Sequence, residues 1–433
     1  MYLNKVIKMN LKGKKLLVLG GTKLSGEIVQ KAKELGIYVI VADYDENAPA
    51  KIISDKASMV SAIDVAAVVK LIKDERIDGV LTGFIELLLP FYQQICEKAQ
   101  LPCYASKEHI EYGTNKNKFK QLCRDFEVPV VEDYKINNPI SKADFDTINF
   151  PVLVKPSDNT AGRGIGICYI ADELIENYEK ALSFSPSNQV IVEKYMPWKE
   201  VTIFYTIQDG NVFLTSIADR YVQNSQNGSI PLPVAYLFPS KHLEDYISNL
   251  DRKVINMFKS IGVQNGMIFI QAFVKNGNFV FYEMGFRLTA TLEYHILSKT
   301  NNINILEHLI RFAVSGKMSD NQIYKTTVPN SDKFGCNITF LIKPGIIGKI
   351  EGEHEISKLT GVTACFISYK EGDEIPEQAV GTLLQVVGRV LLVASSKLEL
   401  INVMDSIHRI FKVYSITGES MLLKTFDSKD LMN

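Results

Sequence analysis

The sequence predicts a mixed α/β protein built from three units. Three observations predict this. Residues 14–104 alternate short apolar runs with helical-period segments, the pattern of βαβ units on a parallel sheet. Residues 150–330 run several strands together and carry a hairpin signal at Asn276-Gly277, the pattern of an α+β domain. Residues 335–433 repeat that mixture on a smaller scale, with turns at Pro344-Gly345 and Gly361. At 433 residues the chain has room for three domains of about 150 residues each. The expected divisions are 1–113, 114–330 and 331–433, the middle unit dividing again at 190/191.

The first unit starts with a buried-type strand at Lys15–Leu19. Gly20-Gly21-Thr22-Lys23-Leu24-Ser25-Gly26 turns into a helix running to about Leu35. A strand at Tyr38–Ala42 ends at Asp43. A helix near Asp64–Lys73, a strand at Gly79–Thr82 and a helix near Leu88–Lys98 complete a Rossmann-like βαβαβα unit. Its glycines fall short of G-x-G-x-x-G, although Asp43 stands where a dinucleotide fold places its ribose acid. A nicotinamide site and a substrate-side domain are both compatible with this.

Next comes an amphipathic helix over Thr114–Phe126, with Thr114 as N-cap. Phe119, Leu122, Cys123 and Phe126 form one apolar stripe, and Lys116 and Lys120 lie off it. In the central unit, strands are expected at Val152–Lys155, Gly166–Tyr169, Val190–Lys194, Glu200–Gln208 and Val212–Ile217. Gln223–Pro233 is turn-rich. A helix over Leu243–Ile261, the Asn276-Gly277 hairpin and a helix near Ile305–Val314 follow. The third unit carries a helix near Leu398–Phe411 and no cluster of His, Cys or acidic residues, so its expected role is structural.

Bulk properties exclude several function classes. Charged residues are 22% and hydrophobic ones 46% of the chain, and the net charge is -1. Nothing here attracts nucleic acid or a membrane surface by bulk electrostatics. The six cysteines form no CxxC, which argues against a zinc knuckle and fits a reducing compartment. The first residues show no secretory h-region, and no apolar run approaches the ~18 residues of a membrane span. The protein is expected to be cytoplasmic.

The chemistry concentrates between Phe150 and Arg287. An apolar strand ends in Lys155 and runs into a loop from Ser157 through Gly162, Arg163, Gly164 and Gly166. Glycines let backbone N–H groups approach an anion, and the lysine adds a positive charge. This reads as a lid over nucleotide phosphates or as a glycine-rich hairpin with a surface lysine; no Gly-Lys-Ser/Thr closes a P-loop. Glu193-Lys194-Tyr195-Met196 ends a strand whose backbone can meet an adenine edge, and Glu200 can reach ribose hydroxyls; both acids equally suit a solvated strand end. On the hairpin, Phe269, Gln271 and Phe273 share one face of the first strand and Phe279, Phe281 and Glu283 one face of the second. A three-residue loop, Asn276-Gly277-Asn278, sets Gln271 opposite Glu283, with Cβ atoms ~5 Å apart. Two oxygen ligands at that spacing suit magnesium between protein and triphosphate. A two- or four-residue loop would part them. Arg287, like Arg163, can brace a transferring phosphoryl group or serve as a structural ion-pair partner.

The order of these elements, from Lys116 through Lys155 and its glycine loop, Glu193 to Glu200, and the Gln271/Glu283 hairpin with Arg287, resembles the ATP-grasp superfamily. The resemblance covers Lys14 to about Gly316. Asn115-Lys116 through Val128-Pro129 looks like the family's lysine helix, and Asn302–Gly316 like the helix after its metal strand. The third unit looks like the C-terminal domain of L-amino acid ligases. The resemblance implies that Lys116 and Lys155 contact ATP phosphates and that Ser157 to Gly166 form the lid. It implies that Glu193, with the backbone of Lys194 and Met196, holds adenine, that Glu200 holds ribose, and that Leu153 and Phe273 sandwich the base. Glu283 would ligate Mg2+ or Mn2+, and Arg287 would steady an acyl phosphate. Two residues depart from the family pattern: Gln271 replaces a glutamate and Gly285 an asparagine.

The reading that results is an ATP-dependent ligase. It joins a small-molecule carboxylate to an amine or other nitrogen nucleophile through an acyl phosphate, with ATP and magnesium as cofactors. Arg220 and residues 221–233 are candidate substrate contacts, and a homodimer is compatible by analogy. The alternative is a nucleotide-binding sensor or scaffold with a degraded metal site.

Overall fold

The computed structural model describes residues 10–137, 140–157, 164–223 and 231–431. Gly162, Arg163 and most of the turn-rich 221–233 segment therefore lie outside the described residues.

Strands β1 (Lys15–Leu19), β2 (Tyr38–Ala42), β3 (Lys56–Ser58) and β4 (Gly79–Leu81) form a parallel sheet in the order β3-β2-β1-β4. Leu16 to Leu19 and Val39 to Ala42 are fully buried, which explains why these strands read as unbroken apolar runs rather than alternating ones. The helix between β3 and β4 spans Val65–Glu75, with Asp64 accepting the Ala67 N–H at 3.0 Å as its cap.

The single helix expected over Thr114–Phe126 is two. Lys107–Thr114 forms one, and Thr114 is its last residue, its hydroxyl donating to the Ile110 carbonyl. Asn115 turns the chain and caps the second helix, Lys116–Asp125, accepting the N–H groups of Asn117 and Lys118 at 3.0 and 3.1 Å. Asn at a cap competes well because its side-chain oxygen replaces a missing backbone acceptor.

Strands β5 (Asp133–Tyr134), β6 (Val152–Pro156), β7 (Gly166–Cys168) and β8 (Val190–Lys194) make an antiparallel sheet ordered β5-β8-β6-β7. Val152, Val154 and Val192 pack with Leu174, Tyr178 and Ala181 of the Ala171–Ser183 helix. By alternation, Leu153, Lys155 and Glu193 occupy the other face.

The largest sheet contains β9 (Lys199–Gln208), β10 (Asn211–Val222), β11 (Pro233–Phe238), β12 (Gly266–Lys275) and β13 (Asn278–Gly285). It continues into the C-terminal third, where β14 (Phe334–Leu341), β15 (Gly345–Glu351), β16 (Val362–Ile367), β17 (Glu374–Ile375), β18 (Val386–Ala394) and β19 (Lys412–Ser415) lie. The order is β13-β12-β9-β10-β11-β14-β18-β16, so the sheet crosses residue 331 without a break, while β15, β17 and β19 form a small sheet of their own. The strand expected over Val212–Ile217 extends to Val222 because it is interior to this sheet.

The hairpin differs from expectation. Its loop has two residues, Asn276-Gly277, and Lys275 pairs with Asn278 rather than Phe279. Asn276 and Gly277 both have positive φ, as the tight turn requires. Taken alone, this loop would separate Gln271 from Glu283. A bulge at Tyr282 resets the register: Ala272 pairs with Phe281, and Gln271 then pairs with Glu283. Phe279 and Phe281 are buried in the core, so they do not share the face of Glu283 as simple alternation predicts.

The N-terminal sheet docks on the Ile305–Ser315 helix with no space to spare. A Cβ at Gly79 would lie 2.1 Å from the Ala313 carbonyl oxygen, which is backbone and cannot rotate away. Gly79→Ala is expected to destabilise the fold by about 1–3 kcal/mol, the usual range for overpacking. Chemical denaturation measures this, and an unchanged midpoint would refute the docking.

Candidate functional site

The site begins with a buried carboxylate. Glu193, near the end of β8, is 3% exposed. Lys155 of β6 donates to its Oε1 at 2.5 Å, and Lys120 of the Lys116–Asp125 helix donates to its Oε2 at 2.7 Å. Lys120 is fully buried and also bonds the Val131 carbonyl, at 3.1 Å, and the Asp133 carboxylate. Burial alone would raise the Glu193 pKa, but the two ammonium groups outweigh it and hold the acid below the usual carboxylate range. Burial is also the largest influence on Lys155 and pulls its pKa down; Glu193 opposes this, and the charges of Lys120 and Lys116 add to it. Lys155 thus stands among more positive neighbours than one carboxylate balances, an arrangement suited to an incoming polyanion.

These bonds bear on the expected adenine contacts. The Glu193 carboxylate is taken by lysines. The Lys194 N–H donates to the Glu132 carbonyl at 3.0 Å and the Tyr195 N–H to the Pro151 carbonyl at 3.1 Å. Met196 is half-buried and its N–H has no partner among the described residues, so it is the amide left for a base edge.

The glycines after Lys155 have a packing reason. A Cβ at Gly166 would fall 2.0 Å from Asn177 Oδ1, and one at Gly164, where φ is +73°, would crowd Phe184 and Pro156. Ser157 is buried, its N–H donating to the Gln189 carbonyl at 2.9 Å.

The second face of the site belongs to the large sheet. Residues directly opposite across strands form the row Phe273, Glu200, Arg220, Tyr236 and Asn337 on β12, β9, β10, β11 and β14. Glu283, Gln271 and Thr202 form a parallel row on β13, β12 and β9. Phe273 and Leu153 are each half-buried, on different sheets. The Phe273 ring packs on Tyr282 with centroids 4.6 Å apart. Residues 129–134 stitch the two sheets together. Phe281 of β13 exchanges backbone hydrogen bonds with Pro129 and Val131, and β5 then pairs with β8. The two faces interact: burial, and then the Glu283 and Glu193 carboxylates, push the Tyr282 phenol up against the opposing pull of Arg220.

Glu200 accepts both Arg220 and the Tyr282 hydroxyl on one oxygen, Oε2, the latter at 2.8 Å, which leaves Oε1 for a ligand. Arg220 is therefore an internal partner: besides Glu200 it bonds the hydroxyls of Tyr236 and Tyr282 at 3.3 and 3.4 Å. This differs from the substrate contact expected of it.

A divalent cation fits the Glu283 row through its donor chemistry. The Glu283 carboxylate and Gln271 amide lie side by side with no hydrogen-bond or ion-pair partner among the described residues, and the buried Thr202 hydroxyl beside them is also without one. No group of three His, Cys, Asp or Glu converges among the described residues. Such a set of oxygen donors would suit a hard divalent cation such as magnesium. Gly285 adds no ligand because the Phe269 ring occupies its side-chain space: a Cβ there would fall 2.3 Å from the ring. That ring instead supports Arg287, whose guanidinium lies 5.2 Å from its centroid. Arg287 also bonds Glu86 at 2.7 and 3.0 Å and the Leu288 carbonyl.

Sequence reasoning missed Lys120, Glu86, Thr202 and Tyr282. Lys120 carried a signal, since it follows Lys116 by one helical turn on the same side. Glu86 lies just beyond the carboxyl end of β4, where parallel sheets place ligand contacts. In the first unit, both oxygens of Asp43 accept backbone N–H groups, from Gly21 at 2.6 Å and Asp45 at 2.9 Å, which takes away the support for a ribose contact there.

Comparison with known proteins agrees with this geometry. Residues 115–321 match the family described as carbamoyl-phosphate synthase L chain, ATP binding domain. The chain is 25% identical over 308 residues to a formate-dependent phosphoribosylglycinamide formyltransferase of Prochlorococcus marinus, covering 69% of this chain and 76% of that protein. It resembles the L-amino acid ligase of Bacillus licheniformis, with a TM-score of 0.74 at 19% identity over 93% of this chain and 99% of that one. It also resembles the biotin carboxylase domain of Hydrogenobacter thermophilus 2-oxoglutarate carboxylase, solved with MgADP, with a TM-score of 0.75 at 19% identity over 95% and 91% of the two chains. No helix among the described residues is long and apolar enough to cross a membrane. Residues 115–321 are thus similar to that ATP-binding domain, and the chain shares the fold of these solved ligase and carboxylase structures.

Proposed function

We propose that the protein is an ATP-dependent ligase that activates a carboxylate as an acyl phosphate and passes the acyl group to a nitrogen nucleophile. One observation carries the reading: Glu193 of the Lys155–Glu193–Lys120 cluster and Glu283 beside Gln271 both act on the Tyr282 phenol, so the two groups are neighbours across the two sheets. A cationic phosphate site thereby stands across from oxygen ligands with no protein partner among the described residues.

Lys155 and Lys116 hold the triphosphate from the first face. The Met196 N–H meets the adenine edge, Leu153 and Phe273 cover the base, and Glu200 Oε1 takes the ribose. The Ser157–Gly166 segment closes over the phosphates and keeps water from the activated acid. Glu283 and Gln271 would hold magnesium, which would supply charge neutralisation for the phosphates. The substrate carboxylate oxygen attacks the γ-phosphorus, ADP leaves, and the nucleophile then displaces phosphate from the acyl carbon. Arg287, fixed by Phe269 and Glu86, is placed to stabilise negative charge on the acyl phosphate.

Incubation with Mg-ATP and pools of carboxylic acids and amines tests the reading. Phosphate release that requires both an acid and an amine is expected. Tight ATP binding without turnover across broad pools would instead establish the sensor alternative. Lys155→Ala is expected to weaken ATP binding by roughly ten- to a hundredfold, the worth of about 1.5–3 kcal/mol for a charged hydrogen bond; calorimetric titration would show it, and unchanged affinity sinks the phosphate role. Glu283→Ala should lower kcat by about a hundredfold while changing ATP affinity far less, since the ion's charge matters most in the transition state; an equal loss of both contradicts the assignment. Because its folded pKa is depressed, Lys155 loses its proton at a lower pH than an ordinary lysine. ATP affinity should therefore begin to fall on the alkaline side below the usual lysine value of about 10.4. Lys155→Arg should move that fall upward, and an identical pH profile in the variant would exclude Lys155 as its source.

A further inference from the structure

The parallel sheet of the first unit reverses direction between β1 and β4. The chain steps from β1 to β2 and β3 on one side and crosses to β4 on the other, in the order β3-β2-β1-β4. Such a reversal opens a crevice beyond the carboxyl ends of the two strands, where open α/β sheets take their ligands. Two glutamates flank it. Glu86 follows β4 and holds Arg287. Glu27 follows β1, in the first turn of the helix Ser25–Glu34, and holds His295. Arg287 and His295 both belong to the segment after β13, so one stretch of chain supplies a side chain to each glutamate. The two sides touch. A Cβ at Gly83 would lie 2.5 Å from the Ile28 side chain and 3.9 Å from that of Leu288, and the rings of Phe84 and Tyr294 have centroids 6.2 Å apart.

The bonds at Glu27 set the state of the imidazole. Glu27 Oε2 accepts the Tyr294 hydroxyl at 2.6 Å and lies 2.9 Å from His295 Nε2. Burial alone would raise the Glu27 pKa, but the hydrogen bonds from His295 and Tyr294 outweigh it and hold the acid below the usual carboxylate range. An ionised carboxylate only accepts, so Nε2 carries a proton, and the neutral ring then has its lone pair on Nδ1. No hydrogen bond reaches Nδ1 among the described residues, and the His295 side chain is 26% exposed. Buried Tyr294 already ties the two units together at Glu27, so docking does not call for an imidazole with an open nitrogen. A base oriented by an acid at its far nitrogen is the arrangement that moves protons in acyl transfer. We propose that His295 is the general base of the acyl-transfer step, its Nδ1 taking the proton that an ammonium nucleophile must lose before its nitrogen attacks the acyl phosphate. The arriving ammonium nitrogen has no lone pair. One proton passes to Nδ1, the freed pair forms the C–N bond, and the C–O bond to phosphate breaks with its electrons leaving on the phosphate. The adduct's second proton goes to the departing phosphate, and His295 returns its own to water. The inference rests on the ligase reading and adds the group that prepares its nucleophile.

Hydroxylamine separates this step from the rest of the reaction. It is unprotonated at neutral pH, so it captures an acyl phosphate as a hydroxamate without a base. The whole chain is incubated at neutral pH with Mg-ATP and the pool of carboxylic acids, and with either hydroxylamine or the pool of amines. His295→Gln, which keeps a donor for Glu27, should lower amide formation by about a hundredfold, the low end of what a positioned base contributes. Hydroxamate formation should be largely kept. Glu27→Gln should act in the same direction, since its amide can donate to Nε2 and favour the wrong tautomer. A rise in melting temperature with Mg-ATP in each variant shows that it is folded. Unchanged amide formation in His295→Gln, or equal loss of amide and hydroxamate in both variants, overturns the base and leaves the ligase reading standing. Hydroxamate without amide from any amine in the wild-type chain also overturns it, since the site then uses no ammonium nucleophile. If the wild-type chain binds Mg-ATP and forms neither product, the ligase reading falls and the base with it.

Discussion

The structure depends on a carboxylate that should not be charged where it lies. Glu193 is buried, and only the ammonium groups of Lys120 and Lys155, one on each oxygen, keep it ionised. The three residues come from a helix and two strands, so this single charge fixes the helix, β6 and β8 against one another. A buried pair of this kind adds little net stability, but removing one partner costs about 3–5 kcal/mol because it strands the other charge. Specificity of position is what the arrangement provides. Lys155 is held at the strand end, its pKa lowered by burial and by the positive charges of Lys120 and Lys116, which is the setting the proposed phosphate contact calls for.

The opposite face shows how a local irregularity creates a site. A two-residue turn and a regular ladder would have turned Glu283 away from Gln271. The bulge at Tyr282 adds the one residue that brings them together, and it also aims the Tyr282 hydroxyl at Glu200. The departures at positions 271 and 285 acquire meanings here. Gln271 supplies an uncharged oxygen beside Glu283, and Gly285 makes room for the Phe269 ring on which Arg287 rests. Arg287 in turn reaches Glu86, just beyond the last strand of the N-terminal sheet, so the first unit contacts a residue of the proposed site.

Much of this was legible in the residues. The parallel strands of the first unit were visible because both their faces are covered, and β8 has the bounds expected of it, Val190–Lys194. Lys155, Glu283 and Arg287 were visible as an ordered set. What was hidden was tertiary. Helix periodicity separated Lys120 from the apolar stripe but not from the interior, because its burial depends on Glu193 and Asp133, far away in sequence. Loop length alone misread the hairpin because the bulge lies outside the loop. Glycines 164 and 166 looked like phosphate-contact residues, whereas Phe184 and Asn177 supply a steric reason for them that sequence does not reveal. The C-terminal third looked like a separate unit because a sheet that crosses from β11 to β14 leaves no local mark.

The central claim is that a substrate carboxylate takes the γ-phosphoryl group of ATP. Oxygen transfer tests it most directly. With the acid labelled by oxygen-18 in its carboxylate and the reaction run to product, one labelled oxygen should appear in the inorganic phosphate, since the acyl–oxygen bond breaks when the nucleophile attacks. Phosphate free of label, released in step with product, would contradict the acyl-phosphate route and with it the account of the site.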